Sequence, residues 1–90
     1  MNDDDKTYQT SAITEKIQEV GKQISFYRHQ RQLTIEELAA KSNIDHEVLN
    51  NIERDGWIKG FSVQQLCQIA DVLEVKAYQL LISKKIFKEF

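Results

Sequence analysis

Between residues 34 and 53 the chain carries two short apolar stripes at helical spacing, each introduced by a capping residue and separated by a brief polar turn. Thr34 followed three residues later by Glu37 is a capping box, in which each side chain satisfies a backbone N–H that the first helical turn leaves unpaired. Ile35, Leu38 and Ala39 supply the buried stripe of a helix that stops near Ser42 and Asn43, where Asn takes the left-handed conformation at little cost. Asp45 is a second N-cap, and Val48, Leu49 and Ile52 mark the inner side of the next helix. Two short helices across a tight turn constrain the fold more than any other feature of the chain.

The rest of the sequence is helical around this unit. There is no proline, glycine occurs three times, and no run alternates as a half-buried strand does. Ile13, Ile17, Val20, Ile24 and Tyr27 recur at intervals of three and four, which places them on one face of a helix running to about Gln32. Ser11 or Thr14 stands where that helix would start, and Gly21 reads as a soft spot costing about 1 kcal/mol. Residues 54–62, with Gly56 and Gly60, read as a loop. Ser62 caps a fourth helix carrying Leu66, Ile69, Ala70 and Leu73. After Glu74 a fifth helix carries Tyr78, Leu80, Leu81 and Ile82 and continues toward Ile86, Phe87 and Phe90. No internal repeat is present. The organisation expected is a flexible acidic tail over 1–12, an all-α domain of five helices over 13–82, and a C-terminal helical extension over 83–90.

Ninety residues, 41% of them hydrophobic and 29% charged, suffice for one modest core but not for a core plus a roomy enclosed active site. No apolar run approaches the roughly 20 residues of a membrane span, and Asn2, Asp3, Asp4 and Asp5 stand where a signal peptide is basic and then apolar. A cytoplasmic protein is expected. The single cysteine, Cys67, lies inside an apolar helical pattern and is expected to be a small buried hydrophobe with no disulfide or metal role. His29 and His46 have no nucleophile or metal set around them, so neither an enzyme nor a cofactor is expected. The net charge of −2 is uneven. Residues 1–20 hold most of the acid excess, and the remainder carries a net charge near +1.

Taken in order, Ile24, Arg28, the run Leu33-Thr34-x-x-Glu37-Leu38-Ala39, Ile44, Leu49-x-x-Ile52-Glu53-Arg54 and Leu66-x-x-Ile69-Ala70-x-x-Leu73 resemble the phage-repressor, or XRE-type, helix-turn-helix family. The resemblance spans about residues 20–82. It implies that the third helix, residues 45–53, docks in the major groove of duplex DNA while the second crosses the phosphate backbone. It also implies a structural ion pair between Arg28 and Glu53. Since Val48, Leu49 and Ile52 face the core, helical geometry turns His46, Glu47, Asn50 and Asn51 outward as candidate base readers. Thr34, Lys41, Arg54 and Lys59 are the candidate phosphate contacts. Arg31 and Lys22 are equally well read as ordinary surface charge. Relatives commonly bind pseudo-palindromic sites as dimers, and Ile13, Ile17, Phe26, Ile86, Phe87 and Phe90 supply apolar surface either for a homodimer or for packing within one chain.

The chain also departs from the family pattern. Ile35 replaces a Gln that often follows the second-helix cap. Asp45 and Glu47 put two acids at the start of the third helix, which has no Lys or Arg before Arg54, so affinity for non-specific DNA is expected to be low. The loop after Glu53 is longer than usual and holds Trp57, which either closes over the core or lies near the DNA backbone or a partner. The function expected is a sequence-specific duplex-DNA-binding transcriptional regulator, a repressor in most of the family, with no small-molecule ligand and no membrane contact. The alternative is an interaction module of antitoxin-like or anti-repressor type.

Overall fold

The computed structural model describes the backbone of residues 3–82 and the side chains of residues 17–82. Five helices follow one another: α1 (Asp3–Gln30), α2 (Ile35–Ser42), α3 (His46–Asp55), α4 (Val63–Leu73) and α5 (Ala77–Leu81). No strand occurs among the described residues. α1 packs against α3 and α5, and α2 packs against α3 and α4. Their inner faces meet in one core of Val20, Ile24 and Tyr27 from α1, Leu38 and Ala39 from α2, Leu49 and Ile52 from α3, the stripe Leu66, Ile69, Ala70 and Leu73 from α4, and Leu80 from α5. Ile44 and Phe61 enter it from the connections. Each large aliphatic side chain fully buried here contributes about 1.5–3 kcal/mol.

Local chemistry sets where the helices begin. The Thr34 hydroxyl accepts from the Glu37 N–H at 3.0 Å, and the Glu37 carboxylate accepts from the Thr34 N–H at 2.9 Å. Asp45 Oδ1 accepts from the N–H groups of Glu47 and Val48 at 2.8 and 3.4 Å. Ser62 and Gln65 form a second capping box at the start of α4.

Three helices end in the same way. Gln32, Asn43 and Glu74 take left-handed backbone conformations with φ of 57°, 57° and 60°. The following N–H of Leu33, Ile44 or Val75 reaches back to the carbonyl of Arg28, Ala39 or Ala70. This Schellman arrangement satisfies the last carbonyls and turns an apolar residue back onto the core. It ends α1 at Gln30, short of the expected Gln32.

The structure departs from the sequence expectations at several positions. The backbone is helical from Asp3, so neither Ser11 nor Thr14 starts α1, and residues 3–12, expected as a tail, have helical backbone. Gly21 is more than a soft spot. A Cβ there would collide with the carbonyl oxygens of Ile52 and Glu53, so glycine is what lets α1 cross α3 at this point. Cys67 is exposed, because Leu66, Ile69 and Ala70 already occupy the inner face of α4 and Cys67 is rotated about 100° from Leu66. On α5, Leu80 is buried but Tyr78 and Leu81 are 54% and 43% exposed. Ile35 is half-buried against the core, an apolar role in place of the polar one usual in the family.

Of the two placements left open for Trp57, the structure has it half-buried against the core, edge-on to Phe61 with ring centroids 4.8 Å apart. Its backbone N–H donates to the Ile17 carbonyl at 3.0 Å. Gly56 allows that approach, since its φ is +92° and a Cβ would strike the same carbonyl. Residues 83–90, including Ile86, Phe87 and Phe90, lie outside the described residues.

Gly21→Ala is expected to destabilise the fold by about 3 kcal/mol through overpacking against backbone that cannot yield. Gly60→Ala, which faces open space at φ +91°, should cost only about 1 kcal/mol. Urea midpoints would rank the two, and equal effects would contradict the crossing-point role of Gly21. The Thr34 N–H, and next the Thr34 hydroxyl, hold the Glu37 carboxyl below its ordinary 4.5. Because the folded value is the lower one, the capping contribution is full above the ordinary glutamate range and is lost as pH falls through the folded value. A carboxyl 13C titration should show Glu37 depressed in the wild type and only partly raised toward its ordinary value in Thr34→Ala, which removes the hydroxyl but keeps the backbone N–H.

Candidate nucleic-acid interface

Residues 43–45 join α2 to α3 in a tight turn. What aims α3 is a fork of hydrogen bonds from α1. Arg28 donates from Nε to Glu53 Oε2 at 2.6 Å and from Nη2 to Glu53 Oε1 at 2.9 Å. Its Nη1 donates to the Leu33 carbonyl at 2.9 Å. The two side chains are 11% and 8% exposed, so one guanidinium ties the end of α1, the approach to α2 and the last turn of α3 together out of solvent. The bond to Glu53 raises the Arg28 pKa still further, outweighing the lowering by burial, and the guanidinium stays charged at neutral pH. Bidentate Arg–carboxylate geometry fixes orientation as well as distance.

With Leu49 and Ile52 buried and Val48 half-buried, His46, Glu47 and Asn50 are exposed on α3 and Asn51 is half-buried. Three of the candidate contacts are engaged by other side chains. His46 Nε2 lies 3.1 Å from Glu36 Oε2 on α2. Asn51 Oδ1 accepts from Arg54 Nη2 at 3.0 Å. The Arg54 guanidinium is also held by Asp55, with Nε to Oδ1 at 3.1 Å and Nη2 to Oδ2 at 3.0 Å. The hydrogen bond from Arg54 keeps the Asp55 carboxyl below the usual carboxylate range.

Thr34, Lys41 and Lys59 are exposed: Thr34 caps α2, Lys41 lies in its last turn, and Lys59 lies in the connection after α3. The Thr34 hydroxyl already serves the cap, with the Glu37 carboxylate beside it. Arg31 has a structural role: Nε donates to the Leu73 carbonyl at the end of α4 and Nη1 meets Glu74 at 2.9 Å. Lys22 is exposed on α1. Sequence reasoning missed Glu36 and Asp55 as partners on this surface. The signal for Asp55 was its adjacency to Arg54, and the signal for Glu36 existed only in the packing of α2 beside α3.

The apolar candidates divide. Phe26 is half-buried against the core, edge-on to Tyr27, and Ile17 is partly exposed. Ile13 lies in the part of α1 described by its backbone alone. Among the described residues no group of three His, Cys, Asp or Glu side chains is placed to hold a metal ion. Nor is any helix among them long and apolar enough to cross a membrane.

A family model described as helix-turn-helix matches residues 24–80. The chain belongs to this family, in its XRE-type branch, which makes it a DNA-binding transcription regulator and not an enzyme. The N-terminal DNA-binding domain of SinR from Bacillus subtilis is 31% identical, with a TM-score of 0.68 over 74% of this chain and 96% of that one. A crystal structure of SinR, a master regulator for biofilm formation, in complex with DNA is 32% identical, with a TM-score of 0.65 over 70% of this chain and 98% of that one. A hypothetical transcription factor from Neisseria, 24% identical with a TM-score of 0.71 over 82% of this chain and 85% of that one, shares the fold. No curated protein sequence matches the chain.

Removing either partner of the Arg28–Glu53 pair strands a buried charge and should cost about 3–5 kcal/mol. A double-mutant cycle with Arg28→Met and Glu53→Gln, read by chemical unfolding, should therefore show strong coupling. Additive losses would mean that the fork does not hold α3.

Proposed function

We propose that the protein is a sequence-specific repressor that binds duplex DNA as a homodimer on a pseudo-palindromic site. α3 enters the major groove, with His46, Glu47, Asn50 and Asn51 at base edges and Thr34, Lys41, Arg54 and Lys59 toward phosphates. The observation that carries this reading is the polar outer face of α3, held on a rigid scaffold by the buried Arg28–Glu53 fork. The DNA complex of SinR supports it by similarity of fold and sequence. A dimer is supported by the exposed apolar side chains of Ile17, Tyr78 and Leu81 on the packed pair α1 and α5. A cytoplasmic site of action belongs to the same reading.

A second reading, an antitoxin-like or anti-repressor interaction module, draws support from one specific observation. The acids Glu36, Glu37, Asp45, Glu47 and Asp55 are exposed or half-exposed on and around α2 and α3, and only Lys41, Arg54 and Lys59 offset them there. Such a rim repels phosphates and lowers general affinity.

Titration against a pool of genomic duplex fragments at two salt concentrations separates the two. Enrichment of a palindrome supports the repressor, and no enrichment even at low salt supports the interaction module. On the enriched site Asn51→Ala should cost about 1–3 kcal/mol and relax preference at a single base pair. Lys41→Ala should weaken all sequences alike and reduce the log–log salt slope by about one. Light scattering at high micromolar concentration should report twice the monomer mass.

A further inference from the structure

The bonds among Asn51, Arg54 and Asp55 set what α3 can read. Asn is ordinarily the adenine-reading side chain, because its amide offers an acceptor and a donor side by side to adenine N6 and N7. Here one of the two acceptor lone pairs is taken: Asn51 Oδ1 accepts from Arg54 Nη2 at 3.0 Å. Arg54 is in turn oriented by two bonds to the Asp55 carboxylate, at 3.1 and 3.0 Å. Of the five guanidinium donors three are thereby committed, and the two on Nη1 remain. The two Nδ2 donors of Asn51 remain as well. What the pair offers a base edge is mainly donors, two on Nη1 and two on Nδ2, against one remaining Oδ1 lone pair. Guanine, with O6 and N7 as adjacent major-groove acceptors, complements such a set, whereas the adenine N6 amino group would meet a guanidinium, donor against donor.

We propose that Asp55 is a positioning residue for base selection: it holds Arg54 against Asn51, so that the Asn51–Arg54 pair reads guanine in place of adenine. The proposal rests on the reading above that α3 meets base edges, and within it turns Arg54, at the end of α3, to a base edge instead of a phosphate. Asp55 itself touches no base. Its carboxylate trades general affinity for orientation, because it places a negative charge beside the one arginine of α3. The depressed carboxyl of Asp55 is consistent with a standing bond to Arg54 at neutral pH.

Two measurements test the proposal. In the free protein, the Asn51 side-chain amide and Arg54 Nε–H resonances should shift on Asp55→Asn and return toward their wild-type positions in Asp55→Glu. Unmoved resonances would overturn the proposal whatever the DNA result. In selection from randomised duplexes, the base pair whose preference disappears in Asn51→Ala should be chosen as guanine by the wild type. Asp55→Asn should reduce that preference at least threefold in favour of adenine, while raising affinity for random duplex about three- to tenfold. Asp55→Glu should retain guanine. Selection of adenine by the wild type, or an unchanged preference in Asp55→Asn, would overturn the positioning role while leaving DNA binding intact. If the wild type enriches no sequence, the DNA reading itself fails and the proposal falls with it. The resonance shifts would then still show whether the three side chains are linked.

Discussion

The bidentate bond between Arg28 and Glu53 is the interaction on which the geometry of the other elements depends. Both charges are nearly removed from solvent, so each is tolerated only because the other is present and the remaining donors find partners. Nη1 closes on the Leu33 carbonyl, so the guanidinium that orients α3 also shapes the approach to α2. About two turns earlier on α1, Gly21 lets the helix lie directly on the backbone of Ile52 and Glu53. A close approach and an ion pair therefore act on the same stretch of α3, one fixing its distance from α1 and the other its rotation.

α1 performs a similar service for the second half of the chain. Gln23, buried beneath α5, donates from Nε2 to the carbonyls of Gln79 and Ile82 at 3.1 Å each. Arg31 donates to the Leu73 carbonyl at the end of α4. Carbonyls at the ends of α4 and α5 are thus satisfied from α1, in a segment where no glycine ends either helix. The long first helix is both a wall of the core and the source of three polar anchors.

On the outer surface of α2 and α3 three donors have an acid at hand. His46 lies by Glu36, Arg54 by Asp55, and the Thr34 N–H by Glu37. Pairs this exposed are individually weak, because solvent screens them. Their summed effect is to cancel the positive field that draws proteins to any duplex, leaving contacts that depend on matching donors with acceptors. A face of this kind favours discrimination over general affinity.

The five-helix order, the Thr34–Glu37 capping box, the Asp45 and Ser62 caps and the inner stripes of α2, α3 and α4 were legible in the sequence, because periodicity and capping are settled within a few residues of one chain segment. The Arg28–Glu53 contact was legible only through the family resemblance, since nothing local joins residues 25 apart. Other features required the tertiary structure. Left-handed turns at Gln32 and Glu74 carry no glycine or asparagine to mark them, and the fold holds them because Leu33 and Val75 must turn back onto the core. Cys67 faces outward because its neighbours already fill the inner face of α4. Gly21 is a crossing point because α3 lies against it, and Arg31 anchors α4 because the end of α4 arrives there. By itself the sequence determined where α2, α3 and α4 start and which face of each is apolar. Which polar side chains were free for a partner, and which were already occupied, depended on what packing brought within about 3 Å, a distance between segments that no local pattern encodes.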